Sequence, residues 1–149
     1  MTDAGSSSFV YVTYIRTTPE KLWSALTDPA LVKQYWLGVH QETDWKVGSP
    51  WRLSFADGRV ADTGEIVEFD PLKRIVINWR NEFRPELKEE GVARCTIELE
   101  PRDGAVKLTI SHVMECAESK FIEAVSVGWP QILSNLKSLL ETGEIVVRR

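Results

Sequence analysis

The chain contains two imidazoles, His40 and His112, which stand 72 positions apart. Neither sits in an HxH or HExxH spacing, so a metal centre would have to gather ligands from scattered strands. A GxSxG elbow and a phosphate-cradling glycine loop are also missing. Cys95 and Cys116 form no CxxC pair and are expected to be reduced and buried. No metal and no cofactor is therefore expected. The remaining candidates are single residues. His112 shares the apolar parity of its strand. It reads either as a buried histidine bonded to a backbone carbonyl or as a group for ligand contact or proton transfer. Glu65 shares parity with Val67 and Phe69 and in one register points inward as a polar anchor. In the other register Ile66 is inward and Glu65 outside, and a bulge permits either. Together His112 and Glu65 are the acid and base candidates of a catalytic reading.

Aromatic side chains are the compositional excess: six tryptophans among 149 residues, beside five phenylalanines and three tyrosines. Rings of this size must be packed, stacked or used. Trp79, Phe121 and Trp129, with Val125, are placed to line the space between a sheet and a long helix. Trp23, Trp79 and Trp129 have positions expected of a packed frame. Trp36, Trp45 and Trp51 fall in the less regular segment and can form a lid or portal over a pocket, or a plug that seals the core. The ligand-contact candidates are thus Trp36, Trp51, Glu65, Trp79, His112, Phe121, Val125 and Trp129. Arg52 and Arg80 alternate with apolar neighbours and read as solvated. Glu86, Lys88, Glu89 and Glu90 read as a charged, soluble hairpin loop.

Punctuation by proline and glycine defines the elements that must position these groups. Phe9 to Arg16 is rich in β-branched and aromatic residues and predicts a strand. Thr18-Pro19 and Asp28-Pro29 each start a short helix, since proline at the first helical position loses no needed N–H. From Val39 to Met114 strands are joined by turns, with Asp57-Gly58 supplying the positive φ of a tight hairpin and Asp70-Pro71 a type I turn. Ile75, Ile77 and Trp79 form one inner row; Ala93, Cys95, Ile97 and Leu99 form the next; Val106, Leu108, Ile110 and Met114 a third. Short links between neighbours predict an antiparallel meander. Ser119 to Leu140 carries an apolar stripe at spacings of three and four and predicts a final helix about 33 Å long. Pro130 within it predicts a kink near Gly128-Trp129-Pro130.

A sheet with one apolar face and a helix with one apolar stripe must bury those faces against each other. If six or seven strands curl about the helix, the space between need not fill, which is the physical route to a ligand cavity. The 18 basic and 22 acidic residues leave a net charge of −4, against nucleic acid as a partner. Met1 to Ser8 lacks the pattern of a signal peptide and no apolar run is long enough for a membrane span, so a cytoplasmic location is expected. At 43% hydrophobic and 27% charged, the composition is that of a single ordinary globular domain. It is expected over residues 9–143, with tails at 1–8 and 144–149.

Three segments carry a family resemblance. IRTTPEKLWSALTDPALVKQYW is similar to the strand, helix and "DP…W" opening of the family named for the activator of the heat-shock-protein-90 ATPase. GEIVEFDPLKRIVINW resembles that family's central hairpin, and GWPQILSNLKSLLETG its C-terminal helix. The resemblance implies an α+β helix-grip fold of the START-like, birch-pollen-allergen-like superfamily. This is a curved antiparallel sheet of six or seven strands wrapped on a long C-terminal helix, with two short helices after the first strand. It also implies a cavity for a small hydrophobic or amphipathic ligand, a binding module more than an enzyme. The alternatives it implies are cyclase- or hydrolase-like catalysis, and co-chaperone-like binding to a heat-shock protein 90 homologue. Co-chaperones of the family carry an additional N-terminal domain, for which this chain is expected to have no room. Ligand identity and oligomeric state lie beyond what these residues imply.

Overall fold

The computed structural model describes residues 5–148. Its first strand, β1 (Ser7–Ile15), begins inside the segment read as a tail. The threonine cap expected at the next helix is formed. The Thr18 hydroxyl accepts the Lys21 N–H at 3.2 Å, and Pro19 opens α1 (Pro19–Thr27). Asp28 repeats the device, accepting the Ala30 N–H at 2.9 Å ahead of α2 (Pro29–Tyr35). There follow β2 (His40–Thr43), β3 (Pro50–Ser54), β4 (Val60–Asp70), β5 (Arg74–Asn81), a single turn α3 (Pro85–Lys88), β6 (Val92–Arg102), β7 (Ala105–Met114) and α4 (Lys120–Thr142).

The seven strands form one antiparallel sheet in the order β1-β7-β6-β5-β4-β3-β2. It is the expected meander from β2 to β7, with β1 laid against β7. Alternation holds along the late strands: Val106, Leu108, Ile110, His112 and Met114 are buried on β7, and Ala93, Cys95, Ile97 and Leu99 on β6. The buried side chains of α4, among them Phe121, Trp129, Leu133 and Leu136, close against that face. This is the helix-grip architecture. No helix among the described residues is long and apolar enough to cross a membrane.

Both ends of α4 are tied to the sheet through polar groups. At its start the Glu90 carboxylate accepts the Lys120 N–H at 2.7 Å and the Phe121 N–H at 3.2 Å, and it also takes the Ser119 hydroxyl. A carboxylate there satisfies orphan donors and meets the positive end of the helix dipole. The segment read as a merely soluble loop therefore clamps the helix, and its Leu87 is buried. At the other end the Glu141 carboxylate accepts the Arg16 N–H at 2.8 Å. α4 stays continuous through Pro130. Beyond it, buried Asn135 holds the segment read as a tail: its side-chain oxygen accepts the Val146 and Val147 N–H groups at 2.8 and 2.7 Å.

Two bulges decide what faces inward. Between β3 and β4 the pairing steps from Leu53–Asp62 to Ser54–Val60, so Ala61 is the extra residue and both Ala61 and Asp62 are buried. Between β4 and β5 it steps from Ile66–Ile77 to Glu68–Val76, leaving Val67 unmatched. Bulges re-aim side chains in this way.

Candidate functional site

Between β3 to β5 and α4 lies a cavity of about 240 Å³. Its inner wall is built from three indoles. Trp36, the residue that ends α2, sits 6.0 Å from Trp79 of β5 and 5.1 Å from Trp129 of α4, and the last two are 5.9 Å apart. Phe121 and Val125 extend the α4 wall, and Phe55 and Phe83 meet edge to face at 4.9 Å at its exposed rim. The space exists because small residues stand where the wall would otherwise close. Gly128 of α4 faces the cavity, and a Cβ added there would meet nothing within 4 Å.

At the sheet end the lining turns polar. Asp62 and Asn81 are cross-strand partners, and the Asn81 amide donates to the Asp62 carboxyl at 3.4 Å. Asn81 is oriented in turn by the Arg84 N–H, which donates to its side-chain oxygen at 2.9 Å. Asp62 is 8% exposed. Burial pushes its carboxyl up to about 7, and the nearby negative charge of Glu82 adds to the effect, while the Trp79 side chain opposes it. The buried Trp79 indole N–H has no partner in hydrogen-bonding geometry, yet lies close enough to Asp62 to favour its anion. The Arg84 guanidinium also lines the cavity, but its Nε is engaged by Glu86 at 2.8 Å.

The expected site residues separate into three groups. Trp36, Trp79, Phe121, Val125 and Trp129 come together on the cavity wall. Trp51 and His112 are buried behind it. Trp51 lies 4.4 Å from Trp79 and donates its indole N–H to Gln41 at 2.9 Å, and the Gln41 amide donates to the Leu26 carbonyl at 2.9 Å. That relay ties the sheet to the end of α1. His112 accepts the Trp129 indole N–H on Nε2 at 2.7 Å, which places its own proton on Nδ1. Burial lowers its pKa to about 3, so it is a neutral, fixed acceptor. Glu65 forms the third group: it is exposed, and Ile66 takes the inward position. His112 and Glu65 do not converge. His112 bonds to an indole and not to the backbone carbonyl expected.

Asp62, Asn81, Phe55 and Phe83 are absent from the sequence reading. The inner row Ile75, Ile77, Trp79 continues by parity to Asn81, and with Ile66 inward the same step of two reaches Asp62. Those signals were present once the register of β4 is known. The two phenylalanines are brought together only by the β3–β4 hairpin and the segment after β5. Trp45 also departs from expectation, packing on Phe69 at 5.6 Å and not on Trp36 or Trp51. Among the described residues no group of histidine, cysteine, aspartate and glutamate could hold a metal ion.

Solved structures repeat this architecture. The protein MLL2253 of Mesorhizobium loti is 24% identical, with a TM-score of 0.79 over 93% of this chain and 100% of that one. The Aha1 dimer of Colwellia psychrerythraea is 19% identical, with a TM-score of 0.75 over 92% and 98%. PFC0360w, an HSP90 activator from Plasmodium falciparum, is 26% identical, with a TM-score of 0.71 over 89% and 95%. Among curated proteins none matches the sequence. The family model described as Activator of Hsp90 ATPase homolog 1-like protein matches residues 16–141, nearly the whole span from the end of β1 to the end of α4, and the chain belongs to that family.

Proposed function

We propose that this protein binds a small hydrophobic or amphipathic molecule in the cavity between the sheet and α4. The observation that carries the reading is the wall of Trp36, Trp79 and Trp129 around an unfilled volume with Asp62 and Asn81 at one end. Apolar walls with a few convergent polar groups are the common form of a small-molecule site. Size narrows the class. An apolar cavity of about 150 Å³ admits benzene, and pockets for drug-sized ligands start near about 300 Å³. A volume of about 240 Å³ suits a molecule of one or two rings, not a sterol or a long acyl chain. A cytoplasmic location accords with the free thiols of Cys95 and Cys116.

The test is a titration of intrinsic tryptophan fluorescence with one- and two-ring compounds, repeated on Gly128→Phe, whose ring would occupy the void. Binding by the native protein and its loss in the variant support the reading. Absence of any response across the set, or equal binding by the variant, removes it. Catalysis by His112 and Glu65 has no support in the geometry, since one is walled off and the other faces out. A co-chaperone-like role has one specific observation in its favour, the 26% identity to the Plasmodium HSP90 activator. Association with a heat-shock protein 90 homologue, measured at tens of micromolar, tests it directly.

A further inference from the structure

Asp62 is a buried carboxyl, and no cation among the described residues pairs with it. The charged groups around it leave it so. Glu82, from the segment after β5, is itself negative and is matched by Lys88 at 3.1 Å and Arg80 at 3.5 Å. The Arg84 guanidinium is held by Glu86. His112, on β7, is neutral and already bonded to Trp129. From α4 the lining residues Ala124, Val125, Gly128 and Ile132 carry no charge, and neither do Leu53 of β3 and Phe55 just after it. Among the described residues the Asp62 carboxyl receives the long hydrogen bond from Asn81, with the Trp79 indole N–H close by. A group in this position destabilises the empty protein when ionised, because burial of an unpaired charge is costly.

One wall of the same void is formed by the indoles of Trp36, Trp79 and Trp129, which pack on one another at 5.1 to 6.0 Å. Indole faces carry negative electrostatic potential and attract ammonium groups, most strongly where water is excluded. An anionic carboxyl and a wall of such rings beside one space have a common complement: a compact positive charge with an apolar body.

We propose that the ligand of this cavity is an organic ammonium of one or two rings, its cationic head held by Asp62 beside the indole wall of Trp36, Trp79 and Trp129. The proposal rests on the cavity being a binding site and adds the charge of what enters it. Trp79 serves both parts, as a member of the wall and through its N–H near the carboxylate. Asn81 orients the carboxyl.

Linkage gives the pH dependence. Burial holds the Asp62 carboxyl near 7, so a cation bound beside it favours the ionised form and binds more tightly as pH rises. The experiment is calorimetric titration of the full chain with benzyltrimethylammonium and with its uncharged isostere neopentylbenzene, at pH 8 and pH 6, on the native protein and Asp62→Asn. The permanent charge of the first probe leaves the protein as the only titrating partner. The expected result is a preference for the cation of about tenfold or more at pH 8, shrinking about tenfold at pH 6. Asp62→Asn, which is isosteric, should lose both the preference and its pH dependence while still binding neopentylbenzene. A carbon-detected NMR titration should show the native Asp62 pKa falling when the cation is bound. If neopentylbenzene binds as tightly as the cation at pH 8, or Asp62→Asn keeps the preference, the ammonium assignment is overturned and the cavity reading stands. If neither probe binds, both fall.

Discussion

Two aromatic groups in this molecule use the same residue types to opposite ends. At one, Trp36, Trp79 and Trp129 pack on one another at 5.1 to 6.0 Å and form one wall of an open volume. At the other, Phe69 sits between Trp23 at 5.3 Å and Trp45 at 5.6 Å, and the three rings fill their own space. The groups meet opposite ends of β4, from Asp62 to Phe69 about 20 Å apart at the rise of a strand. Ring content does not separate them; what surrounds the rings does. Beside the indole wall Gly128, Ala61 and Ala124 leave volume unfilled, and a bulge turns Asp62 into the space. At Phe69 the rings pack with no cavity residue among them, and Trp45 holds a left-handed backbone, φ 56°, that few non-glycine residues accept. A tryptophan excess therefore marks packing in general, and a site only where missing volume and an uncompensated polar group coincide.

The largest expected effect breaks the cavity end through its backbone. A Cβ at Gly64 would lie 1.8 Å from the Asn78 carbonyl oxygen and 3.3 Å from the Trp51 ring. Gly64→Ala should lower the unfolding free energy by about 3 kcal/mol or more, measured in urea. Asp62→Asn should do the reverse. The folded carboxyl, raised from 3.8 to about 7, keeps a proton that the unfolded chain releases, so the native protein loses stability as pH rises between those values. Asparagine escapes that loss, and the variant should gain about 2 to 4 kcal/mol at pH 8 and nothing at pH 4. A melting temperature unchanged at pH 8 would show that Asp62 already has a partner and would erase the contrast between the two regions.

His112 has the opposite sign. Its folded pKa is lowered from 6.5 to about 3, so its contribution is complete above 6.5 and lost as pH falls toward 3. Acid unfolding curves should flatten over that window in His112→Leu. Trp129→Phe, which strands the His112 acceptor, should cost about 1 to 3 kcal/mol and weaken ligand binding. Trp45→Phe should cost under about 1.5 kcal/mol and leave binding unchanged, because its ring only packs. The smallest effect sharpens the comparison most cleanly. Gly128→Ala, on a helix and facing open space, should raise stability by about 0.5 to 1 kcal/mol, read from thermal melts. Its ring-bearing counterpart Gly128→Phe should abolish binding without unfolding the protein.

Much of the frame was legible before any coordinates. Thr18-Pro19 and Asp28-Pro29 start helices because capping and a preset φ act within a few residues. The inner rows of β5, β6 and β7 follow from a period of two. Trp79, Phe121, Val125 and Trp129 were placed between sheet and helix from elements that must face each other, whereas Trp36 was read with Trp45 and Trp51 as a lid, portal or plug, and it lines the cavity without them. The grouping of the tryptophans was not legible, since Trp45 and Trp51 are neighbours in the chain yet meet different partners, Phe69 and Trp79. Nor was the role of Glu90, whose partners at the start of α4 lie about 30 residues onward.

The sequence by itself determined the order of the elements and the faces they bury, because caps, turns and alternation are local physics, and the resemblance of three segments pointed to the family. Tertiary structure alone decided the polar end of the cavity. A single extra residue in a strand reverses which side chains face inward, and it is the pairing of β4 with β3 and β5 that absorbs Ala61 and Val67 as bulges. That choice turned Glu65 outward and Asp62 inward. Burial then did what no spacing encodes: it took an ordinary aspartate out of water, left it without a cation, and raised its carboxyl into the neutral range.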